Sequence, residues 1–254
     1  MKPPYFSVGK TLNPKFEKRF KGGEDALVIS KDSRFLSVCD GVGGWNDVGV
    51  DPGLFSKYLC VTMGELYDVD PKMTLKNILV EAVKKNPHKG SSTAILVKLE
   101  ADRLGRMTTC NLGDSGYMIF RQHKQELKQL YVSDLQTYSF DFPYQCGTNC
   151  DLPYDAKDNE HEVQHNDIVI LATDGVLDNL FEGQISKCIK NNMRPDGGDL
   201  VDLQDVSDCI STSAEAYSYR KDYFSPYTKS AVEHGKDQKE HLGGKPDDIT
   251  VIAA

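Results

Sequence analysis

Apolar positions along the chain fall into short dense runs and longer helical stripes. Residues 26–30 and 35–39 are two such runs, joined by the polar stretch 31–34, and they predict a β-hairpin. Antiparallel pairing there brings Glu24 and Asp25 to the end that carries Asp40. Asp51-Pro52 reads as an N-cap and a first helical position. Leu54, Phe55, Tyr58, Leu59, Thr62, Met63 and Leu66 follow at helical spacing. Thr74 opens a second helix with Leu75, Ile78, Leu79, Ala82 and Val83 on one face. Residues 92–99, 107–112 and 117–121 read as strands, the last entered through the tight turn Gly113-Asp114-Ser115-Gly116. Residues 167–173 form another apolar strand, residues 182–192 and about 202–220 read as helices, and 249–253 is a final strand. An edge strand is expected over 5–8 and a polar loop over 221–245. Residues 122–166 are the least regular stretch, and an insert of that kind is more often functional or mobile than core. Helices come as a pair and strands as hairpins, which favours antiparallel sheet with helices packed on it. No repeat or low-complexity linker interrupts residues 1–254, so a single domain is expected.

Composition narrows the class. The chain has 254 residues, 39% of them hydrophobic and 27% charged, as in a soluble globular protein with a sizeable core. A net charge of −8 disfavours nucleic acid and anionic membrane as partners. No apolar run approaches the roughly 20 residues that span a bilayer. Seven scattered cysteines, an odd count without CxxC spacing, predict reduced thiols in an intracellular protein. Cys146 and Cys150 could clip a loop or hold a metal, but no matching Cys/His pair is nearby. Residues 1–8 lack the arginines and amphipathic pattern of a transit peptide.

The candidate chemistry sits at strand ends. Asp40 is followed by Gly41, Gly43 and Gly44, and a second Asp-Gly, Asp174-Gly175, ends the strand 167–173 with Asp178 four residues on. Asp-Gly alone is a common turn pair. The further acids Glu24, Asp25, Asp114, Asp247 and Asp248 also fall at predicted strand ends. So many carboxylates together repel unless cations lie between them. Carboxylates plus a backbone carbonyl suit magnesium or manganese, and a two-metal hydrolase site is the natural inference.

Six motifs in order carry a family resemblance over nearly the whole chain: Gly-Glu-Asp-Ala (23–26), Val-Cys-Asp-Gly-Val-Gly-Gly (38–44), Gly-Ser-Ser-Thr-Ala (90–94), Asn-Leu-Gly-Asp-Ser-Gly (111–116), Ala-Thr-Asp-Gly-Val-Leu-Asp (172–178) and Pro-Asp-Asp-Ile-Thr-Val (246–251). The chain resembles the metal-dependent serine/threonine protein phosphatases of type 2C, the PPM family. Trp45, Gln136-Thr137-Tyr138, Pro143-Tyr144-Gln145, Ser225-Pro226-Tyr227 and Gly243-Gly244-Lys245-Pro246-Asp247-Asp248 resemble its mitochondrial branch. The resemblance implies an α+β fold, an αββα sandwich of two antiparallel sheets flanked by helix pairs, with a flap-like insert at about 122–166. It implies hydrolysis of phosphoserine and phosphothreonine with two Mg2+ or Mn2+ ions and room for a third. Asp40 and Asp174 would act catalytically through the water between the ions, with Asp40, Gly41, Asp174 and Asp247 as ligands. Glu24, Asp25, Asp114 and Asp178 would serve the outer shell or a third ion. Residues 90–93 would be structural. A phosphoprotein substrate, a monomer and a mitochondrial matrix location, with a role in regulating metabolic proteins there, are further expectations.

Two positions depart from the family. Many members carry a histidine after the Asp-Gly as general acid, where this chain has Val42. The family's phosphate-gripping arginine aligns with Phe20, so Arg19 or Lys21 would substitute. The aromatic run Tyr138, Phe140, Phe142, Pro143 and Tyr144 is read either as buried against the sheet or as a wall that selects the phosphoprotein. Rival readings are a catalytically weak or inactive phosphatase-fold binding module, and a cysteine-dependent phosphatase built on Cys188 and Arg194. The second needs a low-pKa thiolate at a helix N-terminus, whereas Cys188 lies inside a predicted helix. Six histidines without HExxH-type spacing give a zinc hydrolase little support.

Overall fold

The structure, a computed structural model, describes residues 4–123, 126–150, 153–193 and 202–254. Its elements begin β1 (Gly9–Asn13), β2 (Asp25–Ile29), β3 (Phe35–Asp40), α1 (Pro52–Val69), α2 (Leu75–Lys85), β4 (Ser91–Ser92), β5 (Ala94–Leu99), β6 (Arg106–Leu112) and β7 (Gly116–His123). There follow β8 (Glu126–Val132), the short β9 (Thr137–Ser139), β10 (Phe142–Pro143) and β11 (Cys146–Gly147), then β12 (Lys157–Glu162) and β13 (Asp167–Ala172). The last are α3 (Asp174–Leu177), α4 (Glu182–Asn191), α5 (Leu203–Ser218), α6 (Pro226–Glu233) and β14 (Ile249–Ala253). This is an α+β chain with two five-stranded sheets, antiparallel throughout. It divides into two compact units, one sheet to each, and the chain passes between them several times.

The first unit is built from Glu24–Ser115, Pro143–His165 and the residues up to Ser7. Its strand order is β12-β6-β5-β3-β2. β3 and β5 are almost wholly apolar because one central strand needs both faces covered. α1 packs Phe55, Leu59, Met63 and Tyr67 into the core, where Tyr67 stacks on Phe35 at 4.9 Å. That four-residue spacing leaves Leu54 and Tyr58, read as part of the same stripe, exposed. Both predicted caps form: Asp51 accepts from the Gly53 amide and Thr74 from the Asn77 amide.

The second unit holds Val8–Gly23, Gly116–Phe142 and Asn166–Ala254, with strand order β1-β14-β13-β7-β8. Phe120, Ile170, Val176, Ile189, Ile210 and Val251 form its core beneath α4 and α5. The edge strand expected over 5–8 lies instead at β1, paired with β14 from Gly9↔Ala253 to Asn13↔Ile249. A Cβ on Gly9 would stand 2.1 Å from the Leu203 carbonyl, so the strand starts where α5 comes too close for a side chain.

The structure corrects three further expectations. Residues 122–166 are not irregular throughout, since β8 pairs with β7 and β12 with β6. Both are edge strands; β8 turns Leu127 and Val132 onto the second unit's core, whereas β12 is polar throughout and held partly by ion pairs such as Arg106–Glu160 at 2.6 Å. The polar stretch 221–245 contains α6, whose Ser225 side chain caps the Thr228 amide and whose Pro226 opens the helix. The expectation of uniformly reduced thiols also fails, because Cys188 and Cys209 form a disulfide. α4 and α5 pack side by side and bring together two sulfurs that sequence spacing does not connect. Cys146 and Cys150 are in no disulfide.

Candidate active site

Each unit carries its own set of acids. In the first, the β2–β3 register places Asp25 opposite Asp40, as the hairpin pattern predicts. Glu24 and Asp25 are each 1% exposed. Glu24 accepts a 2.8 Å bond on Oε1 from Asn46 Nδ2, and its carbonyl accepts the Gly41 amide at 3.2 Å. A Cβ at Gly41 would lie 2.8 Å from the Glu24 carbonyl oxygen and 2.9 Å from that of Pro52, so no side chain fits beside the Asp40 backbone. Ser92 and Thr93 clamp that backbone. The Ser92 hydroxyl and Thr93 amide donate to the Asp40 carbonyl at 2.8 and 2.9 Å, and the Asp40 amide donates to Thr93 Oγ1 at 3.3 Å.

Asp114 is half-buried in the turn before β7. Val42 leads into a 3-10 turn at Gly43–Val48 and offers no ionisable group. Within that turn Trp45 Nε1 donates to Ser91 Oγ at 2.6 Å, and Ser91 donates to Gln145 Oε1 at 2.5 Å. Trp45 and Gln145, distant in sequence, therefore meet at one serine.

In the second unit Asp174 is the first residue of α3 rather than the end of a strand. One helical turn later, Asp178 shares its face. Gly175 is required by a close approach, since a Cβ there would lie 1.9 Å from the Asp248 carbonyl oxygen. Two lysines that the sequence did not single out as site residues stand among these acids. Lys245 Nζ donates to Asp174 Oδ2, Asp178 Oδ2 and Asp141 Oδ1 at 2.8, 2.9 and 2.8 Å. Lys18 Nζ donates to Asp247 Oδ1 at 3.1 Å and Asp248 Oδ2 at 3.2 Å. Asp248 also accepts the Lys15 amide at 2.7 Å and is 2% exposed, so it anchors the chain before the 3-10 turn Phe16–Lys21. The only signal for Lys245 was its place inside the Gly-Gly-Lys-Pro-Asp-Asp motif.

The charge crowding shows in the acidities. Burial pushes the Asp178 carboxyl up to about 7 against the pull of Lys245, with Asp174 adding to the rise. Burial and then Asp174 raise Asp247. Burial disfavours the Lys245 ammonium, but Asp174, Asp178, Asp247 and Asp141 outweigh it and hold that group well above the ordinary lysine range.

Arg19 and Lys21 lie on the 3-10 turn Phe16–Lys21. Arg19 pairs with Glu215 of α5 at 2.7 Å. The aromatic run splits three ways. Tyr138 and Phe142 are exposed and face each other at 5.5 Å between ring centres. Phe140 packs on Tyr227 and His241 at 4.9 and 5.2 Å, and Tyr144 packs on the first unit's core.

In each unit the donors suit a hard divalent cation. Asp40 and the Gly41 carbonyl in the first unit, and Asp174 and Asp247 in the second, offer oxygen only, the chemistry of magnesium or manganese sites rather than zinc. Among the described residues no three His, Cys, Asp or Glu side chains already close on one point. Among the described residues of the second unit, Lys18 and Lys245 bring positive charge to these acids. Cys188, bound to Cys209, is no thiolate nucleophile, and Arg194 lies outside the described residues.

No family model matches the chain. It is 33% identical over 266 residues to protein phosphatase PTC7 homolog fig of Drosophila ananassae, covering 96% of this chain and 76% of that protein. It is 34% identical over 249 residues to protein phosphatase PTC7 homolog of Xenopus laevis, covering 91% and 80%. Against probable protein phosphatase 2C 55 of Arabidopsis thaliana the identity is 32% over 257 residues, and the chain spans about half of that protein, 52%. Among solved structures, the photosystem II phosphatase PBCP superposes with a TM-score of 0.84 at 26% identity over 97% of both chains. The catalytic domain of the serine threonine protein phosphatase PstP, in complex with two manganese ions, shares the fold with a TM-score of 0.61 at 15% identity, covering 97% and 96%.

Proposed function

The chain belongs to the type 2C protein phosphatases, metal-dependent enzymes acting on phosphoserine and phosphothreonine, and from that premise we propose a ligand set and a role for each site residue. Asp40, the Gly41 carbonyl, Asp174 and Asp247 are the proposed ligands of two Mg2+ or Mn2+ ions. What supports this is that the Asp-Gly step at Asp40 is built with no room for a side chain, beside two buried acids, from oxygen donors alone. When bound, such ions lower the pKa of water and neutralise phosphoryl oxygens.

The protein's own groups position that chemistry. Ser92 and Thr93 fix the Asp40 backbone, and α3 presents Asp174 at its first turn. Glu24 and Asp25 are the proposed outer acceptors, with Asp114 and Asp178 beyond them. Arg19 or Lys21 is the proposed phosphate contact, and Arg19 would have to leave Glu215 to serve. No side chain is assigned as general acid, since Val42 carries no proton. The likeness to PTC7 homologues, together with the branch motifs around Trp45 and Lys245, supports mitochondrial metabolic phosphoproteins as substrates of a single monomeric catalytic domain.

The test is hydrolysis of a phosphopeptide panel with and without Mn2+, alongside Asp40→Asn. Turnover only with the metal, abolished by the substitution, is the expected result. Manganese binding without turnover would instead indicate a regulatory binding module.

A further inference from the structure

Trp45 and Gln145 belong to none of the ligand or outer-acceptor positions, yet in the first unit they meet at one buried serine. Trp45 is the chain's only tryptophan. It lies half-buried in the 3-10 turn Gly43–Val48, just after the Asp40-Gly41 step. An indole N–H can only donate. Here it donates to Ser91 Oγ at 2.6 Å, and that hydroxyl donates to Gln145 Oε1 at 2.5 Å. Gln145 Nε2 in turn donates to Pro143 O at 3.2 Å. Ser91 is fully buried, pairs with Gly147 across β4 and β11, and accepts the Val42 amide on its carbonyl at 3.1 Å. The turn is thus held at its start by a backbone bond and at its centre by a side chain. Asn46, the next residue, donates through Nδ2 to Glu24 Oε1 at 2.8 Å and to Gly43 O at 2.9 Å. A Cβ on Gly43 would stand 3.7 Å from the other Glu24 carboxylate oxygen. On the main chain, the Glu24 carbonyl accepts the Gly41 amide at 3.2 Å and the Ser56 hydroxyl of α1. The turn therefore covers Glu24, which is buried, although Gly43, Gly44, Asn46 and Val48 are themselves exposed. An exposed turn that opens on two glycines has many conformations open to it. The bond from Trp45 to Ser91 selects one in which Asn46 meets the carboxylate.

We propose that Trp45 is a positioning residue: through Ser91 it fixes the Gly43–Val48 turn so that Asn46 holds the Glu24 carboxylate in one orientation. By accepting the Ser91 O–H, Gln145 leaves that oxygen's lone pairs for the indole. A glutamate has several torsions to lose on meeting a cation, and one aimed in advance loses less. The inference rests on the metal-dependent reading above for what Glu24 serves, whereas the bonds that hold Glu24 are independent of it.

The experiment titrates Mn2+ into the metal-stripped full chain by calorimetry and follows the one indole N–H by NMR without metal. Trp45→Phe, which keeps a ring but no donor, and Ser91→Ala should each weaken Mn2+ binding about 10-fold in Kd, the lower end for residues that orient a metal's surroundings. Asn46→Ala should do the same. Adding Trp45→Phe to Asn46→Ala should weaken it no further, because both act through one bond to Glu24. A tryptophan that served only the fold would act by the same factor in both backgrounds. The wild-type indole N–H should exchange with solvent at least about 10-fold more slowly than that of free tryptophan, and Ser91→Ala should speed it up. Thermal unfolding of the metal-free protein checks that each variant is folded. An unchanged Kd in any of the folded single variants, or losses that multiply in the double variant, would overturn the proposal while leaving metal dependence intact. No Mn2+ bound by the wild type would overturn both. Should neither Trp45→Phe nor Ser91→Ala fold, the wild-type indole and Asn46→Ala decide: a protected N–H with a weakened Kd supports the proposal, and failure of either refutes it.

Discussion

Asp40 and Asp178 are both acids at the mouth of an element, yet their surroundings assign them different weights. Asp40 sits on a backbone clamped by Ser92 and Thr93, whereas Asp178 is engaged by a lysine. Asp40→Asn and Asp174→Asn should each lower activity at saturating Mn2+ by more than about 100-fold. Asp178→Asn should stay within the roughly 10–100-fold typical of outer-shell groups. A phosphopeptide assay in which Asp178→Asn is the worst of the three would contradict the ligand assignment. Packing makes an equally local prediction. Gly175→Ala drives a methyl into the Asp248 carbonyl and should cost about 3 kcal/mol or more. Gly183→Ala, with nothing within 4 Å, should stay within about 0.5 kcal/mol in the same denaturation series. The acids themselves were legible in the sequence, because Asp-Gly at the end of an apolar run is a local pattern. Lys245 and Lys18 were not, since a lysine in a polar stretch reads as solvated charge until its partners are placed around it.

At the scale of elements, the sequence showed what is buried and concealed what is exposed. β3, β5 and β13 announce themselves as apolar runs, and α1 and α2 carry their caps in plain view. β12, Lys-Asp-Asn-Glu-His-Glu, carries no hydrophobic signal because an edge strand needs only one partner and a polar face. α6 did carry a signal, since Ser225-Pro226 repeats the cap-and-proline logic of Asp51-Pro52, but it lay within a polar stretch with little apolar periodicity. Ser225 is fully buried and also donates to Gly243 O at the foot of the Lys245 loop. Ser225→Ala should therefore cost towards the upper end of about 0.5–2 kcal/mol in thermal unfolding. The aromatic run divides with these elements. Tyr138→Ala with Phe142→Ala should preserve hydrolysis of a small aryl phosphate while reducing turnover of a folded phosphoprotein, because remote contacts act through binding and orientation. Equal losses on both substrates would assign the pair to the core. Tyr144→Ala, by contrast, should lower stability first, as its ring packs on the first unit's core.

For the whole molecule, an all-oxygen site predicts that chelator abolishes activity and thiol alkylation spares it. Full turnover in excess EDTA would refute the metal reading. The family was readable because its six motifs run the length of the chain in order. The division into two units was not, because each unit is assembled from separate stretches of sequence.

That interleaving shapes how the protein is made. β1 is synthesised before every strand of the first unit's sheet, and its partner β14 after all of them. Meanwhile the strands of the first unit's sheet, from β2 to β12, all become available. Pairings so far apart in sequence form slowly, since loop closure precedes any gain in contacts. Nascent chains should therefore assemble the first unit early and carry β1 as an unpaired edge until 249–253 appear, a stretch of synthesis in which chaperone holding would matter most. Pulsed hydrogen exchange during refolding should find the Gly9–Asn13 amides among the last to gain protection.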